Sequence, residues 1–406
     1  MSSRRQRFRA FIAAFNGAGA PEDALAANWY VEPMDPVARR VARRLELQPA
    51  SAHLITGHVG TGKSTQLLVI ARDIVEQVSE VRTIVVDLSE HQDLDDLQPG
   101  SLMALTGLLI GKQFDASLCS PDERARANQL IASFRSWANG YIDEAYGYPD
   151  HERPIDWVPG IVRPPRPDLA EDLAIRLDEL IQLRQLAYGP ETSVILLVDS
   201  LDRMSSLRGF ETLITQDVKA LLSAGLGVVL IGPLRATYGL ERTVTDQVEL
   251  YRQPAITLTE ERGREFLRDI VRRRDEPTRL FRPAALERVV TYSGGVLRDL
   301  LKLAQKAGEE AYVAGCDDID VDRVEVAADV FGRTLMVGLE ASALAKLRDV
   351  AAGKSFFEAT ESDLSLLLTR RILEYQDSAG LPNHAIHPTL QRLLAPRESI
   401  SEPVAP

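Results

Sequence analysis

The sequence predicts an α/β protein in which a parallel sheet, covered by helices on both faces, is followed by an all-helical segment and a small mixed domain. Apolar, β-branched runs alternate with segments of helical apolar spacing over the first 260 residues. These apolar runs predict five buried strands, at residues 52–56, 82–90, 193–199, 227–233 and 254–258. From residue 259 onwards helical spacing continues, and a turn at 377–380 then joins two short strands.

Composition bounds the class of protein. A chain of 406 residues, with 45% hydrophobic and 26% charged residues, is typical of a globular protein of two or three domains. No apolar run approaches the roughly 20 residues of a membrane helix, and the basic start of the chain is poorly framed for a signal peptide. Cys119 and Cys316 alone make neither a disulfide framework nor zinc-ligand spacing, so a cytoplasmic location is the default expectation.

Residues 57–64 match the phosphate-loop pattern G-x-x-x-x-G-K-[ST], between a predicted strand and a predicted helix. The glycines permit backbone angles that leave consecutive N–H groups facing an anion at a helix N-terminus. Lys63 supplies a charge for the β- and γ-phosphates, and the Ser64 hydroxyl can join a Mg²⁺ shell. The predicted nucleotide-binding residues are Gly57, His58, Val59, Gly60, Thr61, Gly62, Lys63, Ser64 and Thr65. The alternative is a glycine-rich turn with a chance lysine.

A second informative stretch is the apolar run 193–199, which ends in Asp199. A buried parallel strand delivers its last residue to the carboxyl edge of the sheet, where ligands collect in open α/β folds. Together with the upstream loop, this pattern predicts that Asp199 and Ser64 hold Mg²⁺.

Changes in pattern divide the chain into segments. The N-terminal segment contains a short basic helix with Phe8, Phe11, Ile12 and Phe15 on one side. It is a docking helix, a membrane-surface helix or a frayed terminus, and docking or fraying is favoured. A proline-rich insertion interrupts the nucleotide domain. The predicted domains are an N-terminal extension (1–27), a P-loop nucleotide-binding domain (28–258, with the insertion at 112–170), a helical lid (259–338), a winged-helix-like domain (339–397) and a tail (398–406).

The P-loop, the strand end at residues 198–202, the segment 293–298 and the C-terminal hairpin together resemble AAA+-type ATPases. The signal-transduction branch (STAND, NACHT-like) and the origin-recognition-like branch are the most similar. The resemblance implies that ATP and Mg²⁺ bind between the nucleotide domain and the lid. It also implies that Arg298 is the lid arginine that touches the γ-phosphate; a surface salt bridge is the alternative. Arg235 lies where a polar sensor residue is usual.

One departure concerns hydrolysis. Many AAA+ enzymes place a catalytic glutamate directly after this strand aspartate, where the present chain has Ser200. Asp202 is the candidate for polarising the attacking water, with helix capping as its alternative role and Glu90 as a more distant candidate. Catalysis is therefore assigned to Asp202, Lys63 and Arg298, at a low expected rate. The arginine finger is left open among Arg203, Arg235 and Arg242.

Three functions compete. The first is an ATP-dependent regulatory switch that assembles as a homo-oligomer or with a separately encoded effector, as in some bacterial defence systems. The second is a DNA-acting loader or transposition-helper ATPase that uses the winged helix. Against it stand the net charge of −12 and the acidic, apolar character of the presumed recognition helix, residues 361–368. The third is a structural subunit that binds nucleotide without hydrolysing it, as Ser200 allows.

Overall fold

The computed structural model describes residues 4–16, 21–78, 80–91, 93–138, 170–240, 242–357, 360–377 and 380–394. The chain forms two compact units, each built from separated stretches. The sheet unit contains Asp35–Thr56 and Lys63–Arg252, and the helical unit contains Met1–Met34, Gly57–Gly62 and Gln253–Pro406. Within the described ranges, every helix is too short or too polar to cross a membrane. The predicted domain bounds remain predictions.

The sheet unit is built on five strands in the order β2-β3-β4-β1-β5, and every neighbouring pair is parallel. The strands are β1 (Ala52–Thr56), β2 (Val81–Asp87), β3 (Ser193–Asp199), β4 (Leu226–Ile231) and β5 (Glu249–Arg252). Strands β2 and β3 end level with each other, because Asp87 is the register partner of Asp199. The predicted fold class is confirmed.

Both faces of the sheet are buried, which explains why the strands read as continuous apolar runs. Alternate residues of β3, including Leu196 and Val198, join one large core, while Ile195 and Leu197 between them are also fully buried. The helix Lys63–Gln77 packs against β2, β3 and β4. The helices of this unit are Val37–Leu47, Lys63–Gln77, Ser101–Gln113, Pro121–Ala138, Ala170–Tyr188, Leu207–Leu213, Lys219–Ser223, Ala236–Gly239 and Arg242–Thr245.

A buried carboxylate fixes one of these helices. Asp217 lies in a π-helical turn (Ile214–Val218) and accepts hydrogen bonds from the backbone N–H groups of Gly100, Leu102 and Met103 at 2.8, 2.9 and 3.1 Å. These donors are at the N-terminus of the helix Ser101–Gln113, where unsatisfied N–H groups favour an anion. The sequence pattern did not predict the helical stretch that carries Asp217.

The prediction of a strand at 254–258 was wrong, since the last strand of the sheet is β5, ending at Arg252. Pro254 has no N–H group to offer a ladder, so the pairing with β1 stops before it. The next two N–H groups donate within the helical unit, from Ala255 to Glu374 O (3.1 Å) and from Ile256 to Gly295 O (3.0 Å).

The helical unit joins the beginning of the chain to its second half. Phe8, Phe11 and Phe15 are buried in one core with Leu267, Leu300 and Leu303, so the N-terminal helix docks, which was one of the three roles considered for it. The helices of this core are Arg4–Ala14, Glu261–Asp275, Pro283–Tyr292, Leu297–Val313 and Val321–Met336. The short helix Pro21–Ala26 of this unit has no buried residue.

The C-terminal part of the helical unit is a compact piece that we call the hairpin module, residues 360–377 and 380–394. It contains the helix Glu361–Leu368, the antiparallel strands β6 (Ile372–Gln376) and β7 (Pro382–Ile386), and the helix Pro388–Leu394. A further helix, Ala341–Ala351, precedes it. Leu367, Leu373 and Leu390 are fully buried.

Candidate functional site at the P-loop

Lys63 and Asp202 form an ion pair in the sheet unit. The Lys63 Nζ atom lies 3.0 Å from Asp202 Oδ2, and both side chains are largely buried, at 3% and 14% exposure. Lys63 opens the helix that packs beneath the sheet, and Asp202 lies in the short 3₁₀ turn that follows β3. The structure therefore brings together the predicted phosphate-binding lysine and the predicted water-polarising carboxylate, and the two side chains bind each other directly.

Ser64 and Asp199 form a second contact at the same sheet edge. The Ser64 hydroxyl donates a hydrogen bond to the Asp199 carboxylate, and the Ser200 N–H donates to Asp199 Oδ1 at 2.7 Å. Burial raises the pKa of Asp199 despite these two bonds, and the nearby carboxylates Asp202 and Asp87 raise it further. A cation would relieve this electrostatic penalty.

The donor set suits Mg²⁺ in particular. A hydroxyl and a carboxylate are hard oxygen ligands, and Mg²⁺ binds through one or two such groups together with water and substrate phosphates. Over the described part of the chain, no group of three or more His, Cys, Asp or Glu side chains converges as a metal cage. Ser64 and Asp199 would hold the ion, whose charge would offset that of the phosphates.

A third carboxylate, Asp87, was not singled out from the sequence. It ends β2, accepts hydrogen bonds from the Ser89 N–H (2.9 Å) and hydroxyl (2.6 Å), and accepts another from the Ser200 side chain. Burial opposes its ionisation, but the bonds from Ser200 and Ser89 lower its pKa overall. The rule that parallel strands end at one edge could have found it, because β2 and β3 were both predicted.

In the helical unit, four consecutive carbonyl groups of the loop all accept hydrogen bonds. The His58 carbonyl accepts from the Thr61 N–H (3.3 Å) and hydroxyl (3.0 Å). The Val59 carbonyl accepts from Arg370 Nη1 at 3.3 Å, and the Gly60 carbonyl accepts from the Arg298 N–H at 3.0 Å. The Thr61 carbonyl accepts from Gln253 Nε2 at 2.8 Å.

Two glycines are required by this packing. Gly60 has φ +93°, and an added Cβ would lie 2.5 Å from Arg298 Cβ. Gly57 has φ +154°, and an added Cβ would lie 2.1 Å from the Gln253 carbonyl oxygen. Both distances are shorter than any normal contact, so a side chain would not fit at either position. The positive φ angles would also be unfavourable for a residue with a side chain.

Arg298 lies at the start of the helix Leu297–Val313, with its backbone on the loop and an exposed side chain. Its neighbour Asp299 is fully buried and accepts two hydrogen bonds from Arg370, at 2.9 and 3.1 Å. His387 Nε2 lies 3.6 Å from the same carboxylate. Although burial opposes ionisation, His387 and Arg370 hold the pKa of Asp299 below its ordinary value.

His58 was predicted only as one residue of the loop, but its ring is 1% exposed and is bound by the hairpin module. Its Nε2 accepts from the Glu374 N–H at 2.8 Å. Its Nδ1 lies 3.1 Å from the Leu367 carbonyl oxygen. Nothing in the sequence pattern linked residue 58 to residues more than 300 positions away.

The remaining candidates are dispersed. Arg203 Nη1 donates to the Ser89 hydroxyl (3.3 Å), Arg235 is half-buried and Glu90 is exposed. The side chain of Arg242 is outside the described residues. Thr237, which follows β4 and was not predicted, donates to the Thr56 hydroxyl at 2.9 Å, directly before the loop.

Neither a protein-family model nor a curated protein matches the sequence. Among solved structures, the chain is similar to the Aeropyrum pernix ORC2 protein, at 16% identity and a TM-score of 0.44, over 90% of this chain and 93% of that one. It is also similar to Cdc6p from Pyrobaculum aerophilum, at 13% identity and a TM-score of 0.43, over 94% and 96% of the two chains. Domain III of the Thermotoga maritima replication initiation protein DnaA is similar at 13% identity and a TM-score of 0.39, over 74% and 94%.

Proposed function

We propose that the protein is an ATP-binding, slowly hydrolysing regulatory ATPase of the AAA+/STAND type, with a helical lid and a winged-helix-like C-terminal domain. The observation that carries the proposal is the hydrogen bond between Ser64 and Asp199 at the carboxyl edge of a parallel sheet. This pair follows a glycine loop of the P-loop pattern and supplies the oxygen ligands for Mg²⁺. Lys63 then contacts the β- and γ-phosphates, and Arg298 contacts the γ-phosphate.

Asp202 remains the proposed water-polarising carboxylate. Its pairing with Lys63 fits this role if the lysine turns to the phosphates when ATP binds, which leaves the carboxylate available as a proton acceptor. Asp87 is the alternative candidate for polarising the attacking water, because Ser200 and Ser89 already orient its carboxylate. A serine at position 200, with no carboxylate of its own, supports slow turnover and thus a switch.

The regulatory part of the proposal is that nucleotide state controls assembly, as a homo-oligomer or with a separately encoded effector. The DNA-acting alternative finds little support in the hairpin module. Its first helix pairs Asp363 with Lys346 (3.4 Å) and offers the Leu367 carbonyl to His58. Arg370 is occupied by Asp299 and the loop.

The test compares ATP binding and turnover of the full chain with those of Lys63→Ala, Asp202→Asn and Asp87→Asn, each with and without duplex DNA. Loss of a charged contact to phosphate in Lys63→Ala should weaken ATP binding about 10- to 100-fold. Asp202→Asn should keep binding and lose turnover. Retained turnover in Asp202→Asn with loss in Asp87→Asn would move the catalytic role to Asp87.

Two further results would overturn the main proposal. Normal ATP binding by Lys63→Ala would contradict the P-loop assignment itself. Strong stimulation of turnover by DNA would replace the switch with the DNA-acting function. The assembly proposal is checked by light scattering with and without ATP, and an unchanged mass in both conditions, with no captured partner, argues against it.

A further inference from the structure

The outer side of the P-loop is held by protein groups from two places in the helical unit. The hairpin module supplies Arg370 and the partners of His58, and the neighbouring segments supply Gln253 and the Arg298 N–H. Because the C=O and the N–H of one peptide unit point in opposite directions, a donor that fixes a carbonyl also fixes the N–H of the next residue. The bonded carbonyls of Val59 and Thr61 therefore fix the N–H groups of Gly60 and Gly62, while the Thr61 N–H donates to the His58 carbonyl. Backbone N–H groups held in fixed directions are what a phosphate-binding loop requires.

We propose that His58 and Arg370 are positioning residues, through which the hairpin module holds the P-loop in its anion-binding conformation and thereby couples module docking to nucleotide binding. The proposal rests on the proposed function for the identity of the ligand, ATP or ADP. It goes beyond that function by assigning the part of the chain that senses loop occupancy.

The His58 contact specifies one state of the ring. The Glu374 N–H is a donor, so Nε2 must be the acceptor, and the hydrogen of the neutral ring is then on Nδ1 and is donated to the Leu367 carbonyl. A neutral imidazole therefore binds two backbone groups of the module at once, the Glu374 N–H and the Leu367 carbonyl. Burial of the ring makes each bond costly to lose.

Arg370 is held in an unusual backbone conformation. Its φ is +57°, one of four positive values among the described non-glycine residues. The left-handed region disfavours a residue with a side chain, and here it ends the helix Glu361–Leu368. The Arg370 N–H donates to the Leu367 carbonyl at 3.0 Å, and the Arg371 N–H donates to the Leu366 carbonyl at 2.9 Å. The two bonds to buried Asp299 hold the guanidinium of Arg370, and its Nη1 donates to the Val59 carbonyl at 3.3 Å.

Linkage sets the direction and size of the effect. A loop already held in its binding conformation loses less conformational entropy when phosphate binds, so docking strengthens nucleotide affinity. By reciprocity, nucleotide must strengthen docking by the same factor. Loss of His58 or Arg370 should therefore raise the Kd for nucleotide and loosen the module.

The experiment measures the Kd of fluorescent ATP and ADP analogues and hydrogen exchange of the module in the full chain. The variants are His58→Ala, His58→Gln, Arg370→Ala and Arg370→Lys. Arg371→Ala is the matched control, because this neighbouring arginine donates to the Leu335 and Val337 carbonyls and not to the loop. Lys63→Ala is the control for nucleotide binding.

His58→Ala and Arg370→Ala should raise Kd about 5- to 30-fold, as expected for the loss of one to two kcal/mol. His58→Gln should recover part of the affinity, since an amide carries one donor and one acceptor, whereas Arg371→Ala should change Kd less than about twofold. ATP should slow exchange in the module of the wild type and of Arg371→Ala, but not in Lys63→Ala.

Unchanged or tighter nucleotide binding in both alanine variants would overturn the inference while leaving the proposed function intact. If the wild type binds no nucleotide, the proposed function fails instead. The docking contact is still tested in that case, because His58→Ala must then accelerate module exchange without ligand. Should the alanine variants fold poorly, Arg370→Lys keeps the test open: a lysine cannot reproduce the paired bonds to Asp299, so Kd should still rise, and an unchanged Kd in this variant would also overturn the inference.

Discussion

Burial of Glu374 should make the stability of the helical unit depend on pH, and the substitution Glu374→Gln should remove this contribution. Its carboxyl group is 3% exposed, and burial raises its pKa from 4.5 to about 7. The His384 imidazole is 3.9 Å from this carboxyl group, beyond hydrogen-bonding distance, so burial dominates. The folded state therefore keeps a proton between pH 4.5 and about 7 that the unfolded chain releases.

The direction in which stability changes with pH follows from proton binding. Because the folded state binds more protons in this window, stability is complete below pH 4.5 and declines as pH rises to about 7. The difference between 4.5 and about 7 corresponds to a loss of about 3 kcal/mol in the free energy of unfolding. Glu374→Gln is neutral at every pH and should avoid this loss.

The assay is urea unfolding of wild type and Glu374→Gln between about pH 5 and pH 8, followed by hydrogen exchange in the helix Leu297–Val313. The two proteins should be nearly equally stable at the acidic end, and the variant should be more stable by about 3 kcal/mol at the basic end. Asp217, whose pKa burial raises to about 6, contributes to both proteins and cancels in the difference. Parallel pH profiles for the two proteins would refute the reasoning.

Three further predictions concern packing and the loop. Phe11→Ala empties a site of 0% exposure and should cost about 3–5 kcal/mol in the same unfolding assay, whereas Phe357→Ala, at 71% exposure, should cost little. Asp217→Ala leaves three buried N–H groups without their acceptor and should destabilise the sheet unit by about 2–3 kcal/mol, seen as a lower urea midpoint. Gly60→Ala should raise the Kd for ATP at least about tenfold, because its methyl group would lie 2.5 Å from Arg298 Cβ. Gly353→Ala, with φ +84° and open space around it, should cost about 1 kcal/mol of stability and leave ATP affinity unchanged.

Local patterns were enough to predict the sheet and the contact between Ser64 and Asp199 at its carboxyl edge. Continuous apolar runs indicate buried parallel strands, and the position of Asp199 at the end of such a run predicts that it lies beside Ser64. The edge strand was harder, because β5 has exposed residues and lacks the apolar run that marks the central strands. The run that starts at Pro254 was read in its place.

Contacts between distant residues could not be read from the sequence. The pattern of the loop is indifferent to the residue at position 58, so it gave no reason to connect His58 with Glu374 or Leu367. The ion pair between Arg370 and Asp299 joins two residues that look like ordinary surface charges in their own segments. Such pairings depend on the tertiary arrangement, which neither periodicity nor propensity describes.

The position of the N-terminal helix has a consequence for synthesis of the chain. Its aromatic face is buried by helices that lie far along the sequence, and Arg4 donates to the Tyr312 carbonyl across a separation of 308 residues. At translation rates of about 5–20 residues per second, this face waits about 15–60 s for its partners to emerge. During that interval the nascent chain exposes Phe8, Phe11 and Phe15 together, which is the kind of apolar surface that chaperones bind.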